Sequence, residues 1–213
     1  MVMRVTEVFS SIQGESTHAG RPCTFVRTTG CNQRCTWCDT AYAYSGGTEE
    51  PLDRLYSQVA AFGNQLVELT GGEPLLQPEA PRFLAELCDL GYEVLLETGG
   101  SLPIAHLDPR VRRILDLKAP SSGMTGNICW ENLDHLRDGD EVKFILTDRE
   151  DFDWAAKIVA LYHLTERVPV LFSPAFGMLE PSLLAEWILE GGLPVRLQLQ
   201  LHKHIWSPAA RGV

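Results

Sequence analysis

The segment Gly30-Cys-Asn-Gln-Arg-Cys-Thr-Trp-Cys-Asp-Thr40 places Cys31, Cys35 and Cys38 in a CxxxCxxC arrangement. Iron–sulfur clusters are usually held by four cysteines, and structural zinc sites also use four ligands. No fourth Cys or His follows the triplet within about four residues, the usual pair spacing at zinc sites. The triplet therefore predicts a [4Fe–4S] cluster that has three thiolate ligands and one iron left open for another molecule.

The remaining cysteines allow other interpretations of the triplet. Cys23, Cys88, Cys129 or a histidine can complete a zinc site from a distance. A disulfide scaffold is disfavoured, because six cysteines in 213 residues are sparse and the start, Met1-Val-Met-Arg4, has no signal-peptide pattern. We therefore expect a reducing, cytoplasmic location, in which the other three cysteines are ordinary small residues.

Composition limits the classes of partner. The chain carries 28 acidic and 18 basic residues, for a net charge of −10, whereas nucleic-acid-binding proteins usually present a basic face. No apolar run approaches the ~20 residues of a membrane span. These features disfavour nucleic acid and membrane as partners and favour a small-molecule substrate. The length suits a single domain over residues 1–213.

Short apolar runs alternate with helical patterns along the chain. Runs such as those in 93–97 and 141–146 are continuously apolar, as buried parallel strands are. Alternating strands and helices predict an α/β fold with a mostly parallel sheet. Because a closed barrel of eight such units usually needs ~250 residues, we expect a partial, open TIM-type barrel. The predicted strands are 3–9, 24–28, 65–70, 93–97, 113–117, 141–146, 168–172 and 195–201, and the predicted helices are 52–62, 78–90, 131–136, 152–163 and 181–190.

Four segments with chemically useful residues follow predicted strands. The cysteine loop follows strand 24–28, and Thr70-Gly-Gly-Glu-Pro74 ends the next strand. Glu97-Thr-Gly-Gly100 and Asp116-Leu-Lys-Ala-Pro120 end the two strands after that. Since ligands bind at the carboxyl ends of parallel strands, we expect all four segments to meet at one rim.

Each of these residues also has an ordinary structural explanation. Gly71 and Gly72 suit a plain strand-to-helix turn, and Lys118 suits an exposed position. Thr40 suits a helix N-cap, and Arg27 suits a structural salt bridge. Gln13 and Glu15, taken alone, are polar turn residues. What favours a functional site is that the four segments at the strand ends are expected to meet on one rim.

The chain resembles the 7-carboxy-7-deazaguanine synthase family of the radical S-adenosylmethionine superfamily. The resemblance spans the chain and rests on several separate motifs. One departure is Ser16, where the family often has glycine, and we expect from it a local difference in loop geometry. The motifs are Phe9-Ser-Ser-Ile-Gln-Gly-Glu15, Gly20-Arg-Pro-Cys-Thr-Phe-Val-Arg27, the cysteine loop, Thr70-Gly-Gly-Glu-Pro74, Glu97-Thr98, Lys118-Ala-Pro-Ser-Ser122 and Leu201-His-Lys-His-Ile-Trp206.

The resemblance implies a carbon–nitrogen lyase that acts on a pterin. In the family, S-adenosylmethionine binds the open iron of the cluster, and its cleavage gives a 5′-deoxyadenosyl radical. This radical takes a hydrogen atom from C6 of 6-carboxy-5,6,7,8-tetrahydropterin. The ring then contracts and loses ammonia to give 7-carboxy-7-deazaguanine, on the path to queuosine and related 7-deazapurines, and S-adenosylmethionine is regenerated.

The resemblance also implies roles for individual residues. Arg27 is expected to bind the substrate carboxylate through two parallel hydrogen bonds, and Thr40 to bind Mg²⁺, which takes oxygen ligands. His202 and Lys203 receive no role. Cys31, Cys35 and Cys38 are the implied cluster ligands; the cofactor contacts are Trp37, Cys38, Asp39, Gly72, Glu97, Asp116, Leu117 and Lys118; and the substrate contacts are Ile12, Gln13, Gly14, Glu15, Arg27, Thr70 and Val213.

The implied partners are a flavodoxin- or ferredoxin-type electron donor and a second copy of the chain in a homodimer. Two other functions remain open at this point. An activating enzyme that makes a glycyl radical on a protein shares CxxxCxxC, but it needs a protein-docking groove. A zinc-stabilised binding module predicts tetrahedral zinc and no cleavage of S-adenosylmethionine.

Overall fold

Nine strands form one sheet in the computed structural model, which describes residues 1–213. The spatial order is β3-β1-β2-β4-β5-β6-β7-β8-β9, so β3 and β9 are free edges and the sheet does not close. All pairings from β2 to β9 are parallel, whereas β1 runs antiparallel to both of its neighbours. This confirms the expected open, mostly parallel TIM-type architecture. The strands are β1 Val2–Ile12, β2 Pro22–Thr28, β3 Thr48–Pro51, β4 Leu66–Gly71, β5 Glu93–Thr98, β6 Arg112–Asp116, β7 Glu141–Leu146, β8 Val170–Pro174 and β9 Arg196–Leu197.

The helices bury the apolar face of the sheet. Strand residues such as Val67 and Phe144 belong to the same fully buried cluster as helix residues such as Leu55, Phe83 and Leu184. None of the helices is long and apolar enough to cross a bilayer. The helices are α1 Leu52–Phe62, α2 Ala80–Asp89, α3 Arg149–Leu161, α4 Pro181–Gly191 and α5 His202–Ile205.

Alternation along the strands gives the sheet a second, polar face. In β4, Val67 and Leu69 join the main core, while Glu68 lines a cavity on the other side. In β7, Phe144 joins the core, while Lys143 lines the same cavity. Because successive side chains point to opposite faces of a strand, charged residues one position from core residues must lie on the inner face.

Three elements differ from the sequence expectation. β3 was not predicted, because Thr48-Glu-Glu-Pro51 is short, polar and ends in proline, features that suit only an edge strand. The predicted helix 131–136 is instead a 3₁₀ helix over Trp130–His135. The predicted strand 195–201 is reduced to the two residues of β9, because only Gln198 N beyond them still donates to β8, at Phe172 O, and Leu201 N donates instead to Gly14 O in the loop that follows β1.

The loop that follows β1 closes the open side of the sheet. Leu201 N donates to Gly14 O at 3.0 Å, and Ser16 N donates to the Gln198 side chain at 2.9 Å. Thr17 N donates to the buried Glu141 carboxylate at 3.0 Å. These bonds tie the loop to the amino end of β7 and to the segment after β9. Gln13 and Glu15 are thereby held over the polar inner face of the sheet, where they meet Glu68 and Lys143.

Ser16 occupies a left-handed conformation with φ of 65°. Its hydroxyl accepts a hydrogen bond from His18 N at 3.0 Å. Glycine adopts such a conformation without penalty, whereas other residues lose roughly 1–2 kcal/mol there. Ser16 thus carries a backbone cost that its side-chain hydrogen bond partly offsets, and the expected difference in loop geometry stays a prediction.

We expect Ser16→Gly to be more stable than Ser16→Ala by about 1 kcal/mol. Both variants lose the hydroxyl that accepts from His18, but only alanine keeps a Cβ in the left-handed conformation. Urea unfolding of the two variants side by side measures this difference. Equal stability would show that the loop relaxes to another conformation when the hydroxyl is lost.

Candidate active site

A cavity of about 550 Å³ lies at the carboxyl ends of the strands. The four segments that sequence analysis placed on one rim all contribute to its wall. Of the site residues named from the sequence, only Leu117 is missing from this wall. Those that line it are Ile12, Gln13, Gly14, Glu15, Arg27, Cys31, Cys35, Trp37, Cys38, Asp39, Thr40, Thr70, Gly72, Glu97, Asp116, Lys118 and Val213.

Leu117 lies in the main hydrophobic core and is 1 % exposed. Its backbone N–H donates to Lys143 O at 2.8 Å, which continues the pairing of β6 with β7. The side chain is therefore directed away from the cavity, so the expected cofactor contact of Leu117 does not involve it.

The three cysteines of the triplet are free thiols that line the cavity together. Their loop is held by short-range bonds: Cys38 N donates to Cys35 O at 3.2 Å, and Gln33 N donates to Cys31 Sγ at 3.4 Å. Burial raises the pKa of the Cys31 and Cys35 thiols. A metal bound here must therefore displace their protons, as it does whenever it takes a thiolate ligand.

The donor set fits an iron–sulfur cluster. Three sulfur ligands face one cavity, and none of Cys23, Cys88 and Cys129 lines it to complete a four-cysteine site. The three thiols do not converge on one point as ligands of a single metal ion do, and a cluster in which each thiolate binds a different iron does not require it.

Gly72 lets the end of β4 approach the cysteine loop. A Cβ at this position would lie 2.2 Å from Gly30 O and 2.9 Å from Cys31 Cβ. The next residue, Glu73, donates its backbone N–H to Gly30 O at 2.8 Å. Its buried carboxylate accepts from Thr98 Oγ1 at 2.8 Å and from Gly99 N at 2.9 Å. The Gly-Gly-Glu turn thus joins the cysteine loop to the end of β5.

Gly72→Ala is expected to destabilise the protein by roughly 1–3 kcal/mol, the usual cost of overpacking. The methyl group would displace Gly30 and Cys31, so iron incorporation should fall as well. Gly126→Ala is the matched control, because a Cβ there meets nothing within 4 Å. Iron content and thermal unfolding measure the two effects. Normal iron content in Gly72→Ala would contradict the close approach.

Lys118 is largely buried at the rim, so the alternative that it is an ordinary exposed lysine is wrong. Its side chain is 12 % exposed, and Nζ donates to Asp116 Oδ2 at 2.8 Å. Nζ also lies 5.3 Å from the centre of the Trp37 ring. Burial opposes the charge on Lys118, but Asp116 raises its pKa above the usual value. Lys118 therefore presents a fixed positive charge beside an aromatic ring.

Lys143 is a functional candidate that sequence analysis missed. Its side chain is 3 % exposed, and Nζ donates to Glu15 Oε2 at 2.7 Å and to Glu97 Oε1. Asp116 Oδ2 lies 3.7 Å from the same nitrogen. We call Lys143, Glu15, Glu97 and Asp116 the Lys143 cluster. A lysine between the apolar residues Val142 and Phe144 of a buried strand was the available signal.

Lys143 and Glu15 hold each other ionised. Burial opposes the charge on Lys143, but Glu15 and Glu97 raise its pKa well above the usual value. Burial likewise opposes ionisation of Glu15, but Lys143 outweighs it and lowers the pKa of that carboxyl. Gln198 and Gln200 add hydrogen bonds to Glu15 at 3.2 and 2.9 Å. Glu15 is therefore a fixed carboxylate in the wall.

Glu68, also missed, lies on the floor of the cavity. It is 2 % exposed and accepts from Gln13 Nε2. Burial and then the neighbouring Glu97 raise the pKa of Glu68 well above its usual value. Gln13 Oε1 accepts from Glu15 N at 3.0 Å. The amide of Gln13 is therefore held at both ends and keeps one N–H and one lone pair for a ligand.

Arg27 combines a salt bridge with access to the cavity. Its Nε donates to Glu7 Oε1 at 2.7 Å, and its two terminal amino groups make no hydrogen bond within the protein. The side chain is 17 % exposed and lines the cavity. The structural explanation and the functional one are thus compatible, because the ion pair uses only one of the donors of the guanidinium.

Thr40 and Asp39 bring oxygen atoms to the edge of the cavity. Thr40 Oγ1 donates to Asp39 Oδ1 at 2.9 Å, and Lys203 Nζ donates to Asp39 Oδ2 at 2.6 Å. Thr40 precedes a 3₁₀ helix, but its side chain makes no capping hydrogen bond. Thr40 is thus the N-cap residue by position, but its side chain does not cap the helix. Hydroxyl and carboxylate oxygens are donors that suit Mg²⁺.

The end of the chain returns to the cavity. His202, Lys203 and Val213 all line it, although sequence analysis gave the first two no role. A Cβ at Gly14 would lie 2.3 Å from His202 Nδ1, so the glycine makes room for this ring. Burial lowers the pKa of His202. The carboxyl-terminal segment thus forms part of the wall, and Lys203 joins it to Asp39, next to Cys38.

Comparisons with known proteins agree with this geometry. Residues 25–121 match the model of the radical SAM superfamily. The chain is 48 % identical to 7-carboxy-7-deazaguanine synthase of Chlorobaculum tepidum, over 99 % of this chain and 97 % of that protein. It is 43 % identical to the enzyme of the same name from Koribacter versatilis, over 99 % and 100 % of the two chains.

A solved structure extends the comparison to the fold. The crystal structure of QueE from Escherichia coli matches with a TM-score of 0.77 and 19 % identity, over 94 % of each chain. At that identity the match bears on the fold, and it agrees with the open, mostly parallel sheet. The chain therefore belongs to the 7-carboxy-7-deazaguanine synthase family of radical S-adenosylmethionine enzymes, as its sequence motifs indicated.

Proposed function

We propose that the protein converts 6-carboxy-5,6,7,8-tetrahydropterin to 7-carboxy-7-deazaguanine, on the path to queuosine and related 7-deazapurines. The observation that carries the proposal is that one cavity holds both the cysteine triplet and a guanidinium with free donors, that of Arg27. The relatives that carry this enzyme name support it. The reaction removes a hydrogen atom at C6, contracts the ring and releases ammonia.

Cys31, Cys35 and Cys38 would hold a [4Fe–4S] cluster, and S-adenosylmethionine would lie against the same rim. Together these groups supply the radical that removes the C6 hydrogen atom. The chain provides their surroundings: Gly72 lets the cysteine loop pack against the end of β4, and Trp37 and Lys118 offer a ring face and a positive charge. Asp39, Glu97 and Asp116 are the carboxylates within reach of this end of the cavity.

Arg27 would bind the substrate carboxylate. Guanidinium pairs with carboxylate through two parallel hydrogen bonds, and both terminal amino groups of Arg27 are available for them. Glu7 fixes the side chain by accepting from Nε at 2.7 Å. The geometry of the guanidinium is thus set before the substrate arrives, which reduces the entropy lost on binding.

The pterin ring would meet the wall formed by Ile12, Gln13, Gly14, Glu15 and Thr70. The aminopyrimidine edge of a pterin carries several N–H donors, and Glu15 offers a carboxylate that Lys143 keeps ionised. Thr70 Oγ1 already donates to Glu97 Oε2 at 3.2 Å, so its oxygen is left to accept. The Val213 carboxylate, at the end of the tail, would close the pocket over the substrate.

Thr40 would provide one oxygen ligand to Mg²⁺ at the substrate. Mg²⁺ usually keeps several ligands from water or substrate, so one protein hydroxyl is enough. The ion would offset negative charge on the substrate carboxylate. A flavodoxin- or ferredoxin-type protein would reduce the cluster, and the chain would form a homodimer; both expectations rest on the family resemblance.

Arg27→Gln is expected to raise KM for the carboxypterin roughly 10- to 100-fold, since hydrogen bonds to charged groups contribute about 1.5–3 kcal/mol. Slow cleavage of S-adenosylmethionine in the absence of pterin should stay at the wild-type rate. Arg27→Lys keeps the charge but not the paired donors, so its KM for the carboxypterin should lie between those of the wild type and Arg27→Gln. Equal KM values in all three proteins would show that Arg27 is structural only.

A further inference from the structure

The carboxyl-terminal tail is fastened to the protein through one aromatic ring. The guanidinium carbon of Arg211 lies 4.1 Å from the centre of the Tyr42 ring. The tail then passes β1, where Gly212 approaches Phe9, and ends with Val213 in the wall of the cavity. Arg211 is exposed and makes no ion pair, so this stacking is the contact that places its side chain.

The same tyrosine also contacts the support of Arg27. Tyr42 Oη donates to Glu7 Oε1 at 2.7 Å, and Arg27 Nε donates to the same oxygen at 2.7 Å. The guanidinium carbon of Arg27 lies 6.0 Å from the Tyr42 ring centre. The ring of Tyr42 thus contacts the tail that ends in the cavity. Its hydroxyl contacts Glu7, the carboxylate that orients Arg27.

These contacts differ in strength. Arg211 is exposed and Tyr42 is half-buried, and an exposed guanidinium above an aromatic face is held weakly, so the Arg211 contact can open and close. The bonds that converge on Glu7 involve charged groups and partial burial, and they are stronger. The tail is therefore the movable part of the assembly, and Tyr42 with Glu7 and Arg27 is its fixed support.

We propose that Tyr42 is a positioning residue that latches the carboxyl-terminal tail through Arg211 and at the same time holds Glu7 and Arg27 in their binding orientation. Substrate would enter with the tail released, and the latch would then place Val213 over the occupied cavity. The effect on substrate rests on the proposed function, whereas the latch itself is a property of the ligand-free protein.

The latch can be tested without substrate by carboxypeptidase Y, which releases Val213 faster when the tail is free. We expect Tyr42→Leu, whose tail sequence is unchanged, to speed release roughly 3- to 10-fold, as loss of a weak cation–π contact allows. Arg211→Gln should also speed the release of Val213. Because this change alters the sequence that the protease cleaves, its rate is divided by the rate for a free heptapeptide of the same sequence. Arg149→Gln is the matched control, because Arg149 lies over Phe152 at 5.2 Å, away from the tail.

The double variant decides whether the two residues act as a pair. After the same normalisation, the double variant Tyr42→Leu with Arg211→Gln should release valine no faster than Tyr42→Leu alone, since each change removes the same contact. The latch would be overturned if the increase in valine release in the double variant equalled the product of the two single increases. It would also be overturned if Tyr42→Leu released valine at the wild-type rate. Neither result depends on whether the protein turns over a pterin.

Kinetics then separate the two contacts of Tyr42. Tyr42→Phe keeps the ring but removes the bond to Glu7, so it should raise KM for the carboxypterin while valine release stays at the wild-type rate. Substrate-free cleavage of S-adenosylmethionine should be unchanged. An unchanged KM in Tyr42→Phe would overturn the positioning role. If the wild-type protein turns over no carboxypterin, the proposed function fails, and the protease result alone decides the latch.

Discussion

Cys35→Ala is expected to abolish both iron–sulfur cluster assembly and cleavage of S-adenosylmethionine. Cys35 is the middle of the three thiols that line the cavity, and no other cysteine lines that cavity to replace it. With two thiolates left, the loop cannot hold a cluster that already lacks a fourth protein ligand. Iron and sulfide content after anaerobic reconstitution, together with 5′-deoxyadenosine formation, measure the loss.

Cys129→Ala is the matched control for this change. Cys129 lies outside the cavity, where its Sγ is 3.4 Å from Glu131 Oε2. The Cys129→Ala protein should bind iron and cleave S-adenosylmethionine as the wild type does. A Cys35→Ala protein that still cleaves S-adenosylmethionine, or equal losses in the two variants, would contradict the assignment of the triplet as the cluster ligands.

Lys143→Met is expected to cost about 3–5 kcal/mol of unfolding free energy near neutral pH, as removal of one partner from a buried ion pair does. The methionine fills a similar volume, but it leaves Glu15, Glu97 and Asp116 close together without their shared cation. Urea unfolding at pH 7 measures the loss. Lys157→Met, at an exposed position of α3, should change stability little.

The loss should depend on pH with a definite sign. In the wild type, Lys143 lowers the pKa of Glu15 below the unfolded value of 4.5, so this pairing stabilises the protein above that pH and is lost below it. In Lys143→Met, burial is left as the dominant influence and should raise the pKa of Glu15. The folded variant would then bind a proton more tightly than the unfolded chain does.

The stability difference between wild type and Lys143→Met should therefore shrink as the pH falls from 7 toward 5. Unfolding curves across that range measure the trend, with Lys157→Met as the control. A difference that stays constant, or grows as the pH falls, would show that Lys143 acts through packing and not through its charge.

The rim of the site was predictable because its residues follow strands in the sequence. Cys31, Thr70, Glu97 and Lys118 each come directly after or at the end of an apolar run. In a parallel sheet such positions converge, whatever the details of the loops between them. The resemblance to a known family then supplied the expected chemistry, which periodicity alone does not give.

The floor of the site was not predictable in the same way. Glu68 and Lys143 carry no motif, and each occupies a single position in a strand whose neighbours are apolar. Their importance depends on which charges from other strands lie opposite them. That pairing is set by the register of the sheet, which sequence periodicity leaves undetermined.

Two further differences have local causes. The strand expected at 195–201 is reduced to Arg196–Leu197, because Leu201 N bonds to Gly14 O in the loop after β1 and not to β8. Ser16 keeps the left-handed backbone that glycine favours, and the hydrogen bond that its hydroxyl accepts from His18 N helps to hold it there. The short β9 and the Ser16 conformation both depend on hydrogen bonds to other backbone groups, which cannot be predicted from the residue types alone.

The most direct test of the proposed reaction uses 6-carboxytetrahydropterin that carries deuterium at C6. The reconstituted protein is incubated anaerobically with this substrate, S-adenosylmethionine, Mg²⁺ and a reductant, and the mixture is read by mass spectrometry. We predict 7-carboxy-7-deazaguanine together with deuterium in S-adenosylmethionine. Cleavage of S-adenosylmethionine to 5′-deoxyadenosine without that product would contradict the substrate assignment, although the cluster and the fold would stand.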